Sequence, residues 1–213
     1  MSPSKEDYLK CIYELGKQQA KVSNKLIAHD MDVSAPATTG MIKKLLAERL
    51  IEKNVQKGYV VTALGLQKVS QVIRKHRLIE VFLIQQLGYS LTEVHNEAEI
   101  LEHSVSNHFI NQLDKLLGYP KTCPHGGKIP REDEVLKEDH LPLNKVEPGY
   151  YYIRRLHYSQ ELVEFLDAYN ITTGSKIEVI EHNDFAKMTT LIFEDKRYDF
   201  SDVVCSKIFV ETI

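Results

Sequence analysis

The sequence predicts a mainly α chain with β: a winged helix-turn-helix at the N-terminus, a helical dimerisation region, and a C-terminal β-barrel. Three observations carry this. Apolar residues recur at helical spacing through the first half of the chain, broken by one β-prone pair around Gly58. Prolines and glycines crowd residues 118–148. Beyond Gly149 the pattern changes to short β-prone runs with one helical stretch among them.

Residues 4–17 read as a helix, because Tyr8, Cys11, Ile12 and Leu15 fall at i, i+3, i+4 and i+7 and Ser4 with Asp7 resembles a capping box. A second helix, Asn24–Met31, buries Leu26, Ile27, Ala28 and Met31, and Asp32-Val33-Ser34 turns the chain. A third follows, with Pro36 tolerated in its first turn and Ala37, Met41, Ile42, Leu45 and Leu46 facing inward. Leu50–Lys53 and Tyr59–Thr62, joined by a polar stretch ending at Gly58, read as a hairpin. Gly65–Leu87 is a long helix, and Thr92–Leu117 is expected as another, repeating Val94, Ala98, Leu101, Val105, Phe109, Leu113 and Leu116. This pair carries more apolar surface than one small domain needs, which implies helix packing between subunits and a homodimer. Residues 118–148 read as irregular linker, and Tyr150–Ile153, Lys176–Ile180, Thr189–Phe193 and Lys207–Val210 as strands, with a helix near Gln160–Tyr169. The division expected is 1–64, 65–142 and 143–213.

Composition narrows the class. A chain of 213 residues, 43% hydrophobic and 27% charged, is ordinary for a globular protein of two or three small domains. No apolar run spans a bilayer, and Met1–Asp7 lacks the core of a secretion signal, so no membrane partner is expected. Cys11, Cys123 and Cys205 are odd in number and widely spaced, which suits a reducing cytoplasm. The net charge of −3 is unusual for a DNA binder, since phosphate neutralisation supplies much of the affinity; basic residues must therefore be local.

Helix, short turn, helix and hairpin is the plan of a module that reads double-stranded operator DNA. Ser34, Ala35, Pro36, Thr38 and Thr39 are short side chains that let a helix N-terminus approach the groove floor. Lys43, Lys44, Lys53 and Lys57 are placed for phosphate contact on the helix and wing. The alternative is a three-helix protein-interaction module with solvated lysines.

The second constellation is His95-Asn96-Glu97-Ala98-Glu99-Ile100-Leu101-Glu102-His103. At about 100° per residue, His95, Glu99, Glu102 and His103 fall in one arc flanking the apolar stripe. His76 and Glu80 stand at i, i+4 on the preceding helix, and Cys123-x-His125 adds a thiolate and an imidazole. Such sets suit first-row divalent metals. Taken singly, His76–Glu80 reads as a surface ion pair, Cys123 as a buried thiol and Asp7 as a helix cap. No His-Glu-x-x-His, nucleophile–base pair or phosphate loop appears, which argues against an enzyme.

Glu6-Asp7-Tyr8-Leu9, Arg74-Lys75-His76-Arg77-Leu78-Ile79-Glu80, Glu99-x-x-Glu102-His103 and Cys123-Pro124-His125-Gly126-Gly127 together resemble the diphtheria-toxin-repressor family, most closely its manganese-dependent repressors of Gram-positive bacteria. The resemblance implies that the C-terminal barrel is SH3-like and that each subunit holds two metal sites. One would draw on Asp7, Glu99, Glu102 and His103, with His76 as a further candidate; the other on Glu80, Cys123 and His125, completed by Glu161 or its rival Gln160. His95 matches a ligand of iron-dependent relatives. The two-domain manganese regulators carry a glutamate where this chain has Lys10, so their closely spaced two-metal centre is not expected. Iron-dependent relatives place cysteine at Glu99 and methionine at Asp7, and harder oxygen ligands favour Mn2+; Fe2+, Zn2+ and Cd2+ are the alternatives, the last two drawn by Cys123. Gly40 replaces a larger polar residue of the recognition helix. The expected function is a metal-dependent repressor of metal-uptake genes, with an iron-responsive repressor or a metal-independent winged-helix regulator sensing a small organic ligand as alternatives.

Overall fold

In a computed structural model of the chain, residues 4–137, 140–157 and 160–213 are described, Gln18 and Gln160 by their backbone alone. Met1-Ser2-Pro3, part of the argument against a secretion signal, and the side chain of Gln160 lie outside this set. The chain forms two compact units, Met1–Lys75 with Pro130–Leu136, and His76–Ile129 with Lys137–Ile213.

The first unit begins with α1 (Lys5–Gln18), opened by a capping box in which Ser4 Oγ accepts from the Asp7 N–H and the Asp7 carboxylate accepts from the Ser4 N–H. Ser23 caps α2 (Asn24–Asp30), and Ser34 caps α3 (Ala35–Ala47). The wing pairs β1 (Ile51–Asn54) with β2 (Gly58–Val61), and Asn54 Oδ1 accepts from the Gln56 and Lys57 N–H groups, both at 2.9 Å, to close its turn. Gly58 has φ +77°, and a Cβ there would lie 2.0 Å from the Val22 carbonyl oxygen, so glycine alone fits. Ile12, Ile27, Ile42, Leu45 and Ile51 fill the core, joined by Val69 and Ile73 from the start of α4 (Ala63–Leu87). Burying each such side chain stabilises by about 1.5–3 kcal/mol.

One assignment on α3 is corrected. Ala37 is exposed and Thr38 fully buried, so the inward stripe runs Thr38, Ile42, Leu45 at i, i+4, i+7. Burial costs Thr38 little because its hydroxyl donates to the Ser34 carbonyl at 3.2 Å.

In the second unit the expected Thr92–Leu117 helix is two helices, α5 (Val94–Glu102) and α6 (Asn107–Leu116). Ser106 Oγ accepts from the Phe109 N–H at 3.1 Å and starts a new helix, a break that Val105 disguised by keeping the apolar period. Leu78, Ile79, Leu83, Val94, Ala98 and Ile110 pack where α4, α5 and α6 meet. The stretch expected to be irregular is partly ordered. Thr122 bridges Lys128, and Leu136 joins the first unit's core, its N–H donating to Ser70 Oγ at 2.9 Å.

The C-terminal part is an antiparallel sheet, among the described residues of six strands in the order β3-β8-β4-β5-β6-β7. These are β3 (Leu141–Pro142), β4 (Gly149–Leu156), β5 (Lys176–Asn183), β6 (Met188–Phe193), β7 (Lys196–Ser201) and β8 (Ile208–Thr212). Ile153, Ile177, Val179, Leu191 and Ile208 form its buried face, with Leu162 and Leu166 of α7 (Gln160–Asp167) and Cys205 of α8 (Asp202–Cys205) packed among them. Strand β7 and helix α8 are additions to the sequence-based expectation.

Candidate functional site

Helix α4 sets His76 and Glu80 one turn apart, and both are buried. Glu80 Oε1 is the meeting point of three imidazoles. It lies 3.1 Å from His76 Nε2, 3.5 Å from His95 Nδ1 on α5, and 3.1 Å from His125 Nδ1 in the loop after α6. His76 Nε2 and His95 Nδ1 face each other at 2.9 Å. The other nitrogen of His76, Nδ1, is 2.5 Å from Oε2 of Glu102, a fully buried carboxylate whose Oε1 is 3.3 Å from His103 Nε2. Glu99 Oε1 lies 3.5 Å from His95 Nε2. One ring thus links two acidic clusters.

Electrostatics follow from this crowding. Burial raises the Glu80 carboxyl, but the His76 charge and hydrogen bonds from His125, His76 and His95 override it and hold the group well below the usual carboxylate range. Burial lowers His95 to about 4, so its ring is neutral at physiological pH, the form that ligates metals. His76, Glu80 and His95 each offer a donor atom within 4.8 Å of the others. So do Glu80, Cys123 and His125, and so do Glu99, Glu102 and His103. Nitrogen, oxygen and sulfur donors this close, most of them buried or half-buried, fit a divalent cation.

The second of these groups depends on a tight loop. The Cys123 N–H donates to the Gly127 carbonyl and the Gly126 N–H to the Cys123 carbonyl, both at 2.9 Å, while the Leu156 N–H of β4 holds the His125 carbonyl at 3.0 Å. Gly126 has φ +80°, and a Cβ there would lie 1.9 Å from the Arg154 carbonyl oxygen. A Cβ at Gly127 would meet the Arg77 guanidinium at 2.6 Å, and Arg77 in turn donates to the Lys128 carbonyl. Arg77 is therefore a positioning residue that the sequence reading passed over, though it stands beside His76. Burial, then the Glu80 charge, push the Cys123 thiol up to about 12.

Glu161 is exposed on the first turn of α7 and is absent from the donor groups found among the described residues. Asp7 sits in the first unit, in the capping box of α1.

On α3, Ser34, Ala35, Pro36 and Thr39 are exposed with Lys43 and Lys44, whereas Thr38 points into the core and is not on the exposed face. Ala37 and Gly40 are exposed on that face, and a Cβ at Gly40 would meet nothing within 4 Å. Thr39 Oγ1 accepts from Asn24 Nδ2 and donates to the Ala35 carbonyl, both at 2.8 Å, so α2 fixes its orientation. Lys53 and Lys57 are exposed on the wing.

Among the described residues no helix is long and apolar enough to cross a membrane. Residues 1–61 match the family described as the iron dependent repressor N-terminal DNA binding domain, and 62–131 the iron dependent repressor metal binding and dimerisation domain. Residues 141–212 match the FeoA domain. A structure of ScaR with bound Zn2+ superposes with a TM-score of 0.92 at 47% identity, over 99% of this chain and 100% of that one. The manganese regulator SloR superposes at 0.90 with 43% identity, over 100% of both. The diphtheria toxin repressor of Corynebacterium jeikeium is 31% identical over 62% of this chain, a match spanning 55% of that relative.

Proposed function

The chain belongs to the iron-dependent repressor family, and on that premise we propose that it is a dimeric repressor that binds operator DNA when loaded with Mn2+ and controls metal-ion uptake genes. The observation that carries this is the Glu80 carboxylate, met by imidazoles from α4, α5 and the Cys123–Gly127 loop.

His76, Glu80 and His95, extended by Cys123 and His125, are the residues assigned to one part of the centre, and Glu99, Glu102 and His103 to another. On the sequence resemblance, Asp7 joins the second set and Glu161 the first. When bound, the divalent ion supplies the positive charge that holds these donors together. Carboxylate and imidazole donors support Mn2+; Cys123 supports Zn2+ or Cd2+. ScaR, described as a manganese-activated repressor, has also been solved with Zn2+ and with Cd2+.

Ile100 of α5, with Phe109 and Leu116 seven residues apart on one face of α6, are exposed in the single chain and form apolar surface for a homodimer to bury. A dimer presents two α3 helices, which must lie about 34 Å apart to enter successive major grooves. The three-part division at 1–64, 65–142 and 143–213 is retained as a functional reading. The C-terminal sheet is taken to close as an SH3-like barrel, supported by register shifts at Ile153/Arg155 and Val179/Glu181 that bend β4 and β5.

The test is fluorescence anisotropy with promoter DNA from a metal-uptake operon, at fixed salt, with Mn2+ and then with chelator. Tight binding with Mn2+ alone is expected; equal binding in both conditions overturns the proposal. An iron-responsive repressor would instead respond to Fe2+ under reducing conditions.

A further inference from the structure

The first unit contains a cavity of about 360 Å³ with no part in the metal centre. Its floor is Ile12 of α1 and Val22, both at most 2% exposed, and its far wall is Val61 of the wing and Leu66 of α4. Gly16 forms its mouth. Glycine within a helix costs about 1 kcal/mol relative to alanine, and it usually earns its place by permitting a close approach. Nothing approaches Gly16: a Cβ there would meet no atom within 4 Å. What glycine provides at this position is open space.

The charged groups that line the cavity share one sign. Lys17 and Lys57 line it, and no carboxylate does. The Lys17 ammonium stands 4.0 Å above the Tyr13 ring, and Tyr59 of the wing also lines the cavity. An apolar chamber with aromatic walls and cationic groups at its rim matches an apolar body that carries one acidic group. We infer that this cavity is a binding site for a small amphipathic organic anion, distinct from the metal sites.

Its place gives binding a consequence. The Val22 N–H donates to the Lys57 carbonyl at 2.9 Å and the Tyr59 N–H to the Val22 carbonyl at 3.0 Å, so the floor is bonded to the wing. An occupant touches α1 and the wing together and fixes Lys57, a proposed phosphate contact. If it favours the DNA-bound arrangement, DNA raises its affinity by the same factor. Only this consequence rests on the repressor reading; the binding itself requires neither metal nor DNA.

The experiment uses the full chain with methyl-labelled Ile, Leu and Val, free of metal and DNA. It is titrated with 1-anilinonaphthalene-8-sulfonate and, separately, with its uncharged parent N-phenyl-1-naphthylamine. Saturable binding that shifts the methyls of Ile12, Val22, Val61 and Leu66 is expected. Gly16→Leu, which fills the mouth and favours the helix, should abolish it. Lys17→Met should weaken the sulfonate about two- to fivefold while leaving the neutral probe unchanged. Absence of saturable binding, shifts confined to methyls elsewhere, undiminished binding to a folded Gly16→Leu chain, or equal response of the two probes to Lys17→Met would each overturn the inference. None of these results bears on Mn2+-dependent DNA binding, so the two readings fail separately.

Discussion

His76 presents Nε2 to Glu80 and Nδ1 to Glu102, so a single imidazole answers two buried carboxylates. A neutral ring has one N–H and satisfies one of them; a second proton or a cation must serve the other. Glu80 is the more exposed to loss, since three rings converge on it. Glu80→Gln keeps the shape and removes the charge, and isothermal titration should show Mn2+ affinity falling at least about tenfold, with helicity by circular dichroism unchanged. Undiminished affinity would remove Glu80 from the centre. Cys123 yields a pH dependence. Its thiol, raised to about 12 by burial, is protonated at neutral pH, so a metal that takes the sulfur must displace a proton. Affinity through that ligand should therefore rise with pH, by about tenfold per unit for one proton released, and Cys123→Ser should flatten the profile measured with Zn2+ between pH 6 and 8. On the DNA face, Thr38→Val should cost stability but leave operator affinity within about twofold, because the side chain is buried and its hydroxyl is spent on the Ser34 carbonyl. Gly40→Glu, placing a carboxylate on the open groove face, should weaken DNA binding severely in the same anisotropy assay.

The Cys123–Gly127 loop shows how an element, rather than a residue, makes a ligand set. Gly126 combines φ +80° with a backbone contact that leaves no room for a methyl, while Gly174 has φ +91° and open space. Gly174→Ala should cost about 1–2 kcal/mol from its backbone alone. Gly126→Ala should cost more and also lower metal affinity, because β4 must retreat or the loop must shift Cys123 and His125; thermal melts with and without Zn2+ check both. The same scale separates what the sequence made legible from what it hid. The α1 stripe, the cap at Ser4 and the His76/Glu80 pair depend on residues three or four apart, and local periodicity suffices for these. The break before α6 was hidden because Val105 stays in phase across it, and only the cap at Ser106 marks it. Strand β7, Lys196–Ser201, is mostly polar at a sheet edge, with Tyr198 and Phe200 alone facing the core. That Glu102 and Glu80 share His76 needs α4 and α5 to be packed together, since His76 and Glu102 stand 26 positions apart. Thr38 misled because a threonine whose hydroxyl bonds to its own helix behaves as a core residue.

At the scale of the molecule, a net charge of −3 poses the question of how a metal could help this chain bind a polyanion. Two mechanisms give different salt dependence. If loading acts by neutralising acidic groups, it changes the protein's field, and the slope of log affinity against log salt changes with it. If loading acts by raising the fraction of dimers in a competent arrangement, apparent affinity scales with that fraction while the contacts to phosphate stay the same. The two carboxylates that share His76 are buried, Glu80 at 2% and Glu102 at 0% exposure, while Glu99 is half-buried and His103 exposed; the exposed lysines of α3 and the wing are a separate set. Charge added at Glu80 and Glu102 is confined by their burial, so the population mechanism is expected. Operator binding measured between about 50 and 200 mM salt, at saturating and at sub-saturating Mn2+, should give parallel lines whose common slope counts the phosphate contacts. Converging lines would mean that neutralisation carries the response. Linkage supplies an independent check: Mn2+ bound by the native chain alone should stabilise it by about 2.7 kcal/mol at a hundredfold excess over its dissociation constant. Adding operator should then tighten Mn2+ binding by the same factor by which Mn2+ tightens operator binding. If calorimetry found Mn2+ affinity indifferent to DNA, the centre would be a structural one, and control of transcription would have to come from another ligand.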